Sequence, residues 1–185
     1  PDNSGVLVDL GYHYAKGMGV PKDYNKAHQL YLKAYELGDS YAANNLGSTY
    51  ETGIGNEIDF KKALFYYEEA IKLDPFNHVA LSNLGYMYKN GVGMEVDLEK
   101  AKTYFLEAHD NGNLSATYEL AKIYESYSTQ KALNEAIKIL EEGQIPYSNY
   151  EVLTDDSQQR KLNEDILERL KEKLVVLNMQ SYFWV

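Results

Sequence analysis

Cysteine is absent from this 185-residue chain, and proline is scarce, with four residues. The lack of cysteine excludes disulfide bonds and thiolate metal sites. No run of about 18 apolar residues is present, so the sequence predicts no membrane span. No signal peptide is visible, and we therefore favour a cytoplasmic location while leaving the compartment open. The abrupt start at Pro1 also fits a fragment of a longer protein.

Positive charge is also in short supply. Lys and Arg number 18 against 28 Asp and Glu, which gives a formal net charge of −10. Nucleic-acid binding needs a basic surface, so the composition argues against it. A neutral or basic protein partner is favoured instead, although an acidic balance serves solubility equally well. The four histidines lack metal-ligand spacing, so we expect no metal and no cofactor, and His109 near a predicted helix end suits the helix dipole.

What the chain has in abundance is repetition. A Leu-Gly-x-x-Tyr pattern occurs at Leu10, Leu46 and Leu84 and returns as Leu-Ala-x-x-Tyr at Leu120. A Lys-Ala pair follows each of the first three, and a Glu-Ala pair at Glu135 follows the fourth. The steps between successive patterns are 36, 38 and 36 residues. A fixed period of this size is typical of stacked supersecondary units, which points to binding rather than to catalysis.

Each repeat is expected to form two helices. In the first helix, apolar and small residues recur at spacings of three and four, which places them on one face. A Gly-x-Gly loop then ends that helix in the first three repeats, because glycine readily adopts the left-handed conformation. The second helix is expected to begin after an N-cap at Asp23, Asp59 and Asp97, and after Thr129 in the divergent fourth repeat.

Two features of the chain also occur in enzyme motifs, the Gly-x-Gly loops and a Ser-x-x-Lys match at residues 128–131. None of the loops follows a strand or carries the remaining residues of a phosphate-binding loop. The Ser-x-x-Lys match lacks its companion motifs, so chance explains it. We therefore expect no enzyme activity and no catalytic residue.

The full pattern joins Leu-Gly-x-x-Tyr, Gly-x-Gly, an aspartate followed by an aromatic residue or Leu, Lys-Ala, and an aromatic-x-x-Ala end. It resembles the Sel-one-like repeat family, a group of tetratricopeptide-like α-solenoids, over residues 5–143. The resemblance implies an all-α, right-handed α–α superhelix of four helix pairs, at about residues 5–38, 39–76, 77–112 and 113–143. It also implies a scaffold or adaptor that binds a peptide or partner protein in a concave groove lined by the first helices, with no shared catalytic activity.

The register of the first helices gives the residues expected to face this groove. They are Tyr12, Lys16, Tyr41, Asn44, Ser48, Glu51, Tyr86, Lys89, Tyr118 and Lys122. Tyrosines in such a set match the composition of binding hot spots, and Tyr-rich packing between adjacent helices is the alternative. By the same resemblance, Asn45 and Asn83 are candidate ligands for a peptide backbone, with a helix–helix hydrogen bond as their alternative role. The basic pairs that clamp a carboxylate terminus in some such grooves are not matched.

Residues 144–185 lie outside the repeats, as a linker, a helix and an aromatic tail that contains Trp184. A helix is predicted over about residues 156–178, with an apolar stripe and a charged opposite side. The stripe consists of Leu162, Ile166, Leu170, Leu174 and Leu177, and the charged side of Arg160, Glu164, Glu168, Lys171 and Glu172. Because stacked repeats require capping, we expect this helix to fold back on repeat four. The alternative is a structural oligomerisation module, in which the helix and the tail pair two chains.

Overall fold

The computed structural model describes residues 3–143 and 157–182, with side chains described for residues 3–142 and 157–179. Within these residues the chain contains helices and no strand. The helices are α1 Ser4–Lys16, α2 Tyr24–Glu36, α3 Ser40–Thr52, α4 Phe60–Leu73, α5 His78–Asn90, α6 Leu98–Asp110, α7 Leu114–Ser126, α8 Gln130–Gly143 and α9 Ser157–Tyr182. The prediction of an all-α fold, with helix pairs followed by one long helix, is confirmed. The predicted linker and the tail with Trp184 lie outside the described residues.

The chain divides into two compact units, Pro1–Asp97 and Leu98–Val185. The first unit contains α1 to α5, and the second contains α6 to α9. Across the described part of the chain, no helix combines the length and the apolar character that crossing a membrane requires. The two units are described separately below.

Polar caps fix where the second helices begin. The Asp23 carboxylate accepts a hydrogen bond of 2.9 Å from the backbone N–H three residues later, and Asp59 accepts the equivalent bond at 3.0 Å. In the fourth repeat, the Thr129 hydroxyl oxygen accepts from the N–H three residues later at 3.2 Å. Each cap satisfies a backbone donor that has no partner inside its helix. The predicted starts of α2, α4 and α8 are therefore confirmed.

The two glycines of each Gly-x-Gly loop have different roles. Gly53 directly follows α3 with φ +69°, the left-handed conformation that ends a helix and favours glycine. Gly55 lies against the second helix of the preceding repeat, since a Cβ placed on it would be 2.8 Å from the Cβ of Tyr24. Gly93 approaches Phe60 in the same way. The second glycine therefore allows close contact between neighbouring repeats, a role that the sequence pattern did not indicate.

The two recurring sequence patterns contact each other within a helix pair. The Lys62 ammonium lies 5.0 Å from the ring centre of Tyr50, and the equivalent pair in repeat one lies 5.2 Å apart. The glycine of the first pattern makes room for a core tyrosine, because a Cβ on Gly47 would be 2.7 Å from the Tyr67 ring. The common period of both patterns is thus explained by their packing against each other.

Small residues join neighbouring repeats in the first unit. Ala43 of α3, Ala70 of α4 and Ala80 of α5 form one fully buried cluster. Asn77, the cap of α5, donates from Nδ2 to the Ser40 hydroxyl oxygen at the start of α3, at 3.1 Å. Because alanine allows helix axes to approach closely, this junction is tight and its polar groups are satisfied.

In the second unit, the long helix α9 covers the pair α7–α8, as expected of a cap. Ile166 and Leu170 of α9 are buried in one cluster with Ala121 of α7 and Leu133 of α8. The predicted charged side of α9 is exposed. A helix with an apolar inner side and a polar outer side is suited to cap stacked repeats, because it buries their apolar residues and presents polar residues to solvent.

The apolar stripe of α9 differs from the prediction at one position. Leu162 is 39% exposed, whereas Leu167, which the predicted stripe omitted, is buried. Asn163 is also buried, and its Nδ2 donates to the carbonyl oxygen of Leu114 at 3.3 Å. Regular spacing describes an isolated helix, but here the contacts with α7 and α8 decide which side is covered.

Candidate functional site

The candidate residues of the first unit lie on its first helices, α1, α3 and α5. Tyr12 and Tyr41 leave 46% and 47% of their surface exposed, and Tyr86 is half-buried. We use the name first-helix face for Tyr12, Lys16, Tyr41, Tyr86 and Lys89. Tyrosine rings that remain open to solvent supply large contact areas with a polar tip, which suits protein binding.

Two lysines of the first-helix face lie over two of its tyrosines. The Lys16 ammonium is 5.6 Å from the ring centre of Tyr12, and the Lys89 ammonium is 5.8 Å from that of Tyr86. The partners are four and three residues apart, the spacings at which side chains meet on a helix. A cation–π contact at an exposed site contributes about 0.5–1 kcal/mol. Each pair therefore presents an aromatic ring with a positive charge beside it, and the Tyr–Lys spacing was the signal for this pairing.

Asn44 and Asn83 bind each other. Asn83 of α5 donates from Nδ2 to Oδ1 of Asn44 on α3 at 2.9 Å, and Asn44 is buried. Asn83 thus makes the helix–helix hydrogen bond that was the alternative to a ligand contact. Asn45, on the next position of α3, is half-buried. The expectation that Asn44 faces a groove does not match its burial, because the neighbouring helix covers it.

Glu51 and Ser48 lie next to a core tyrosine. The Tyr67 hydroxyl donates to Oε2 of Glu51 at 2.7 Å. Burial raises the pKa of Tyr67 well above its usual range, and the negative charge of Glu51 raises it further, while a hydrogen bond with Ser48 acts in the opposite direction. Glu51 therefore binds Tyr67 on the second helix of its own repeat, and its side chain is half-buried.

Tyr118 and Lys122 lie in the second unit, on α7. Tyr118 is half-buried and packs against the cluster that α7, α8 and α9 share. The Lys122 ammonium is 5.1 Å from the Tyr118 ring centre and 3.9 Å from the Glu119 carboxylate. Nearby on α7, Glu125 is held by Arg169 of α9 at 2.7 Å. Tyr118 therefore makes packing contacts within the second unit, and the name first-helix face is kept for residues of the first unit.

A polar junction between α2 and α3 is a feature that the sequence patterns did not reveal. Asn56 Nδ2 lies 3.0 Å from His28 Nδ1 and 3.3 Å from the Thr49 hydroxyl oxygen. An amide nitrogen only donates, so this network assigns His28 Nδ1 as the acceptor and the imidazole as neutral. Burial lowers the pKa of His28, and the nearby Lys62 ammonium lowers it further. These three residues do not recur together in the other repeats, so the periodicity of the sequence did not indicate this junction.

His109 differs from the expectation of a charged group at a helix end. Its Nδ1 lies 2.9 Å from the Thr117 hydroxyl of α7, and burial lowers its pKa, which favours the neutral ring. In the described ranges 3–142 and 157–179, no three His, Asp or Glu side chains come together as a metal site would require. Ser128, with φ +52°, forms the turn before α8, which agrees with a structural explanation of the Ser-x-x-Lys match.

Three segments of the chain match the family model of the Sel1 repeat, at residues 7–39, 40–75 and 78–113. Among curated proteins, the chain is similar to HRD3A of Arabidopsis thaliana, an "ERAD-associated E3 ubiquitin-protein ligase component", with 36% identity over 73 residues. This match covers 40% of the chain and 10% of the relative. HRD3B of the same plant matches with the same identity, and 12% of it is covered. The match to this chain therefore spans about a tenth of the length of these relatives.

Two solved structures share the fold. A Sel1 repeat protein of Oxalobacter formigenes is 30% identical, with a TM-score of 0.65, over 76% of this chain and 56% of that one. A protective antigen of uropathogenic Escherichia coli with an SLR fold is 21% identical, with a TM-score of 0.60, over 90% of this chain and 38% of that one. The second likeness concerns the fold alone.

Proposed function

This chain belongs to the Sel1 repeat family, and we propose that it is a protein–protein interaction scaffold whose first-helix face binds a partner peptide or protein. The observation that carries the proposal is the exposure of Tyr12 and Tyr41 on α1 and α3, two helices whose other sides pack in the buried clusters of the first unit. Exposed aromatic rings on a rigid support lose little conformational entropy on binding, which favours affinity.

Charge supports a partner that is neutral or basic overall. The whole chain carries a net charge of −10, which attracts basic surfaces over distances of about a Debye length. The lysines of the first-helix face lie over aromatic rings and act locally, beside the tyrosine contacts. We therefore propose that long-range charge assists encounter, whereas the tyrosines supply most of the binding free energy.

The similarity to HRD3A and HRD3B supports a role as one component of a larger assembly. Those two proteins are described as components of an E3 ubiquitin ligase. The match is confined to 73 residues, and those residues can carry over the repeat architecture and its use in binding. We propose that this chain likewise connects other proteins, and we propose no ligase activity for it. Its compartment stays a prediction.

The proposal is tested by capture of partners from a lysate with the whole chain and with a Tyr12→Ala, Tyr41→Ala double variant. We expect the captured partners to be lost or reduced at least about tenfold, because two anchors worth roughly 1–2 kcal/mol each are removed. Phe65→Ala is the matched control, since Phe65 is an equally exposed aromatic residue on α4. Equal capture by all three chains would rule out the first-helix face as the binding surface.

Pairing of two chains through α9 is a second candidate function. The Leu162–Leu177 stripe packs largely against α7 and α8, which favours another side of α9 for pairing. Val175, Val176 and Met179 nevertheless expose more than half of their surface on the last turns of this helix. We propose that a dimer, if formed, uses this second side of α9. Sedimentation of the whole chain beside a Val176→Glu variant tests this, and a monomer at high concentration would exclude it.

A further inference from the structure

The loops that follow α3 and α5 expose the same short pattern of residues. Residues 57–58 are Glu-Ile and residues 95–96 are Glu-Val, and each pair comes directly before an aspartate. Both glutamates are exposed, and Ile58 and Val96 each leave 59% of their surface open to solvent. An acidic residue beside a largely exposed β-branched residue thus occurs at the same register of two neighbouring repeats.

The first repeat shows that the turn itself does not require this pattern. Its residues 21–22, at the same register, are proline and lysine. A Cβ placed on Gly17 would be 3.3 Å from the Cβ of Lys22, and a Cβ on Gly53 would be 2.6 Å from Cγ1 of Ile58. In both loops the side chain at this register lies against the glycine that ends the helix. Because lysine packs there as well, the exposed glutamates and β-branched residues need an explanation other than the turn.

Contacts between repeats join the two loops into one surface. A Cβ on Gly93 would be 2.4 Å from the Cβ of Phe60, so the loop after α5 lies on the first residue of α4. In the same loop, a Cβ on Gly91 would be 2.9 Å from Cγ2 of Val96. Phe60 and Val96 therefore pack on glycines that are two residues apart, and they belong to neighbouring repeats.

The exposed apolar residues of this surface form a row. Asp59 has an extended backbone, with φ −144° and ψ 91°, so the side chains before and after it, Ile58 and Phe60, point to the same side. Phe60 is 38% exposed, and Val96 follows it in the next repeat. We use the name loop edge for the row and its two glutamates, which are Glu57, Ile58, Phe60, Glu95 and Val96.

Internal hydrogen bonds hold the loop after α3. Asn56 Nδ2 lies 3.0 Å from His28 Nδ1 and 3.3 Å from the Thr49 hydroxyl oxygen. The backbone N–H of Asp59 donates to the carbonyl oxygen of Tyr50 at 2.9 Å. Because these contacts already order the loop, binding at the loop edge costs little additional conformational entropy.

Charge restricts what can bind the loop edge. Residues 53–60 and 91–97 contain four acidic residues and no basic one. The Lys62 ammonium of α4 lies 5.0 Å from the Tyr50 ring centre and 3.6 Å from the Asp59 carboxylate, so it is engaged within its own repeat. An edge of this charge repels nucleic acid and anionic lipid. It complements positive side chains that accompany apolar ones.

From these observations we propose that the loop edge binds a basic amphipathic helix of a partner protein. The apolar side of that helix lies on Ile58, Phe60 and Val96, and its lysine or arginine residues pair with Glu57 and Glu95. The loop edge is distinct from the first-helix face. The proposal therefore goes beyond the function proposed above and stands whether or not that face binds a partner.

The geometry of the row favours a helix as the bound element. Asn83 and Asn44 join α5 to α3 directly, and packed helices lie about 8–10 Å apart. A helix rises about 1.5 Å per residue, so about six residues span this distance. Apolar residues at i, i+3, i+4 and i+7 of a helix form a row of similar length with polar residues on both flanks.

The test uses a short fluorescent peptide with Leu at these helical spacings and Lys at the remaining positions. Fluorescence anisotropy measures its affinity for the whole chain. An Ile58→Ser, Val96→Ser double variant should bind at least about tenfold more weakly, because two apolar anchors are removed. Leu37→Ser with Leu73→Ser is the matched control and should leave the affinity unchanged, since these residues of α2 and α4 are 50% and 41% exposed.

The contribution of charge has its own comparison. A Glu57→Gln, Glu95→Gln double variant should weaken binding about threefold or more at low salt, and the difference should disappear at high salt. Glu36→Gln with Glu68→Gln changes the net charge equally at two other exposed glutamates of the first unit and should have little effect. A peptide with Glu in place of Lys should bind at least about tenfold more weakly than the basic peptide.

Two results would overturn the proposal. Equal losses in the loop-edge variants and in their matched controls would mean that the acidic chain attracts the peptide without a defined site. Loss of binding in the Tyr12→Ala, Tyr41→Ala variant, with full binding in the Ile58→Ser, Val96→Ser variant, would place the peptide on the first-helix face instead. Full binding in the tyrosine variant with loss in the loop-edge variant supports the proposal, and it does so independently of the lysate experiment.

Discussion

The apolar residues of α1 and α9, the first and the last helix of the described chain, differ in their exposure to solvent. On α9, Ile166 and Leu170 are buried against α7 and α8, and the charged residues of the opposite side are exposed. On α1, Val6 and Leu10 are exposed although their counterparts in other repeats are buried. The comparison teaches that burial of a repeat position is decided by its neighbour and not by the residue itself.

Removal of α9 is expected to have the largest effect. A chain that ends at residue 156 exposes the apolar cluster that includes Ala121 and Leu133. Contiguous apolar patches of this kind cause aggregation. We expect light scattering to rise and the melting temperature of the second unit to fall sharply. A shortened chain that remains monomeric with an unchanged melting temperature would show that α9 is not a cap.

A substitution inside the cap should have the next largest effect. Leu170→Ala removes a fully buried side chain and is expected to cost ~2–5 kcal/mol of unfolding free energy, measured by urea denaturation. Leu162→Ala on the same helix is the control, with an expected cost of about 1 kcal/mol or less because Leu162 is 39% exposed. Equal costs for both would mean that the cap contacts have been assigned to the wrong side of α9.

The same residue type can be compared at the other end. Leu46→Ala is expected to cost ~2–5 kcal/mol, whereas Leu10→Ala at the equivalent position of repeat one is expected to cost about 1 kcal/mol or less. Urea denaturation of both variants measures the difference. If Leu10→Ala proved as destabilising as Leu46→Ala, α1 would already be covered in solution.

The smallest predicted effect is the pH dependence of the α2–α3 junction. The pKa of His28 is lowered from its ordinary value of 6.5, so the unfolded chain binds a proton at a higher pH than the folded one. The contribution of His28 to stability is therefore complete above pH 6.5 and declines as the pH falls below that value. His28→Gln should reduce this decline in thermal melting between neutral and acidic pH.

His109 provides the reference for that measurement. Its pKa is also lowered by burial, but it lies in the second unit, at the α6–α7 contact. His109→Gln should remove a separate part of the acid sensitivity, and the double variant should show the sum of both effects. A pH profile that neither variant changes would contradict the neutral state of both rings.

Much of the fold was predictable because local chemistry is repeated. The aspartate caps Asp23 and Asp59 mark helix starts, and Gly53 ends a helix at a left-handed φ. Each of these features acts within a few residues, so the sequence contains the whole interaction. The same holds for Lys16 and Tyr12, which are one helical turn apart.

The remaining features depend on partners distant in sequence. Asn44 was expected on an open face, but it is buried because Asn83 reaches it from α5. Leu167 replaces Leu162 on the covered side of α9, because α7 and α8 determine which side is inward. Periodicity gives the register of one helix, whereas these outcomes require the relative placement of two.

The contact between Gly55 and Tyr24 has a consequence for recombination between repeats. These two close-fitting residues belong to different helix pairs, the second and the first. A genetic exchange with its crossover at the turn near Gly38 separates these two residues. Each of them then packs against a residue that comes from the other parent. A cut just before Asp59 keeps α2, α3 and Gly55 together. That cut, however, separates Tyr67 from Gly47 and Glu51, so close contacts within a helix pair and between helix pairs both restrict where repeats can be exchanged.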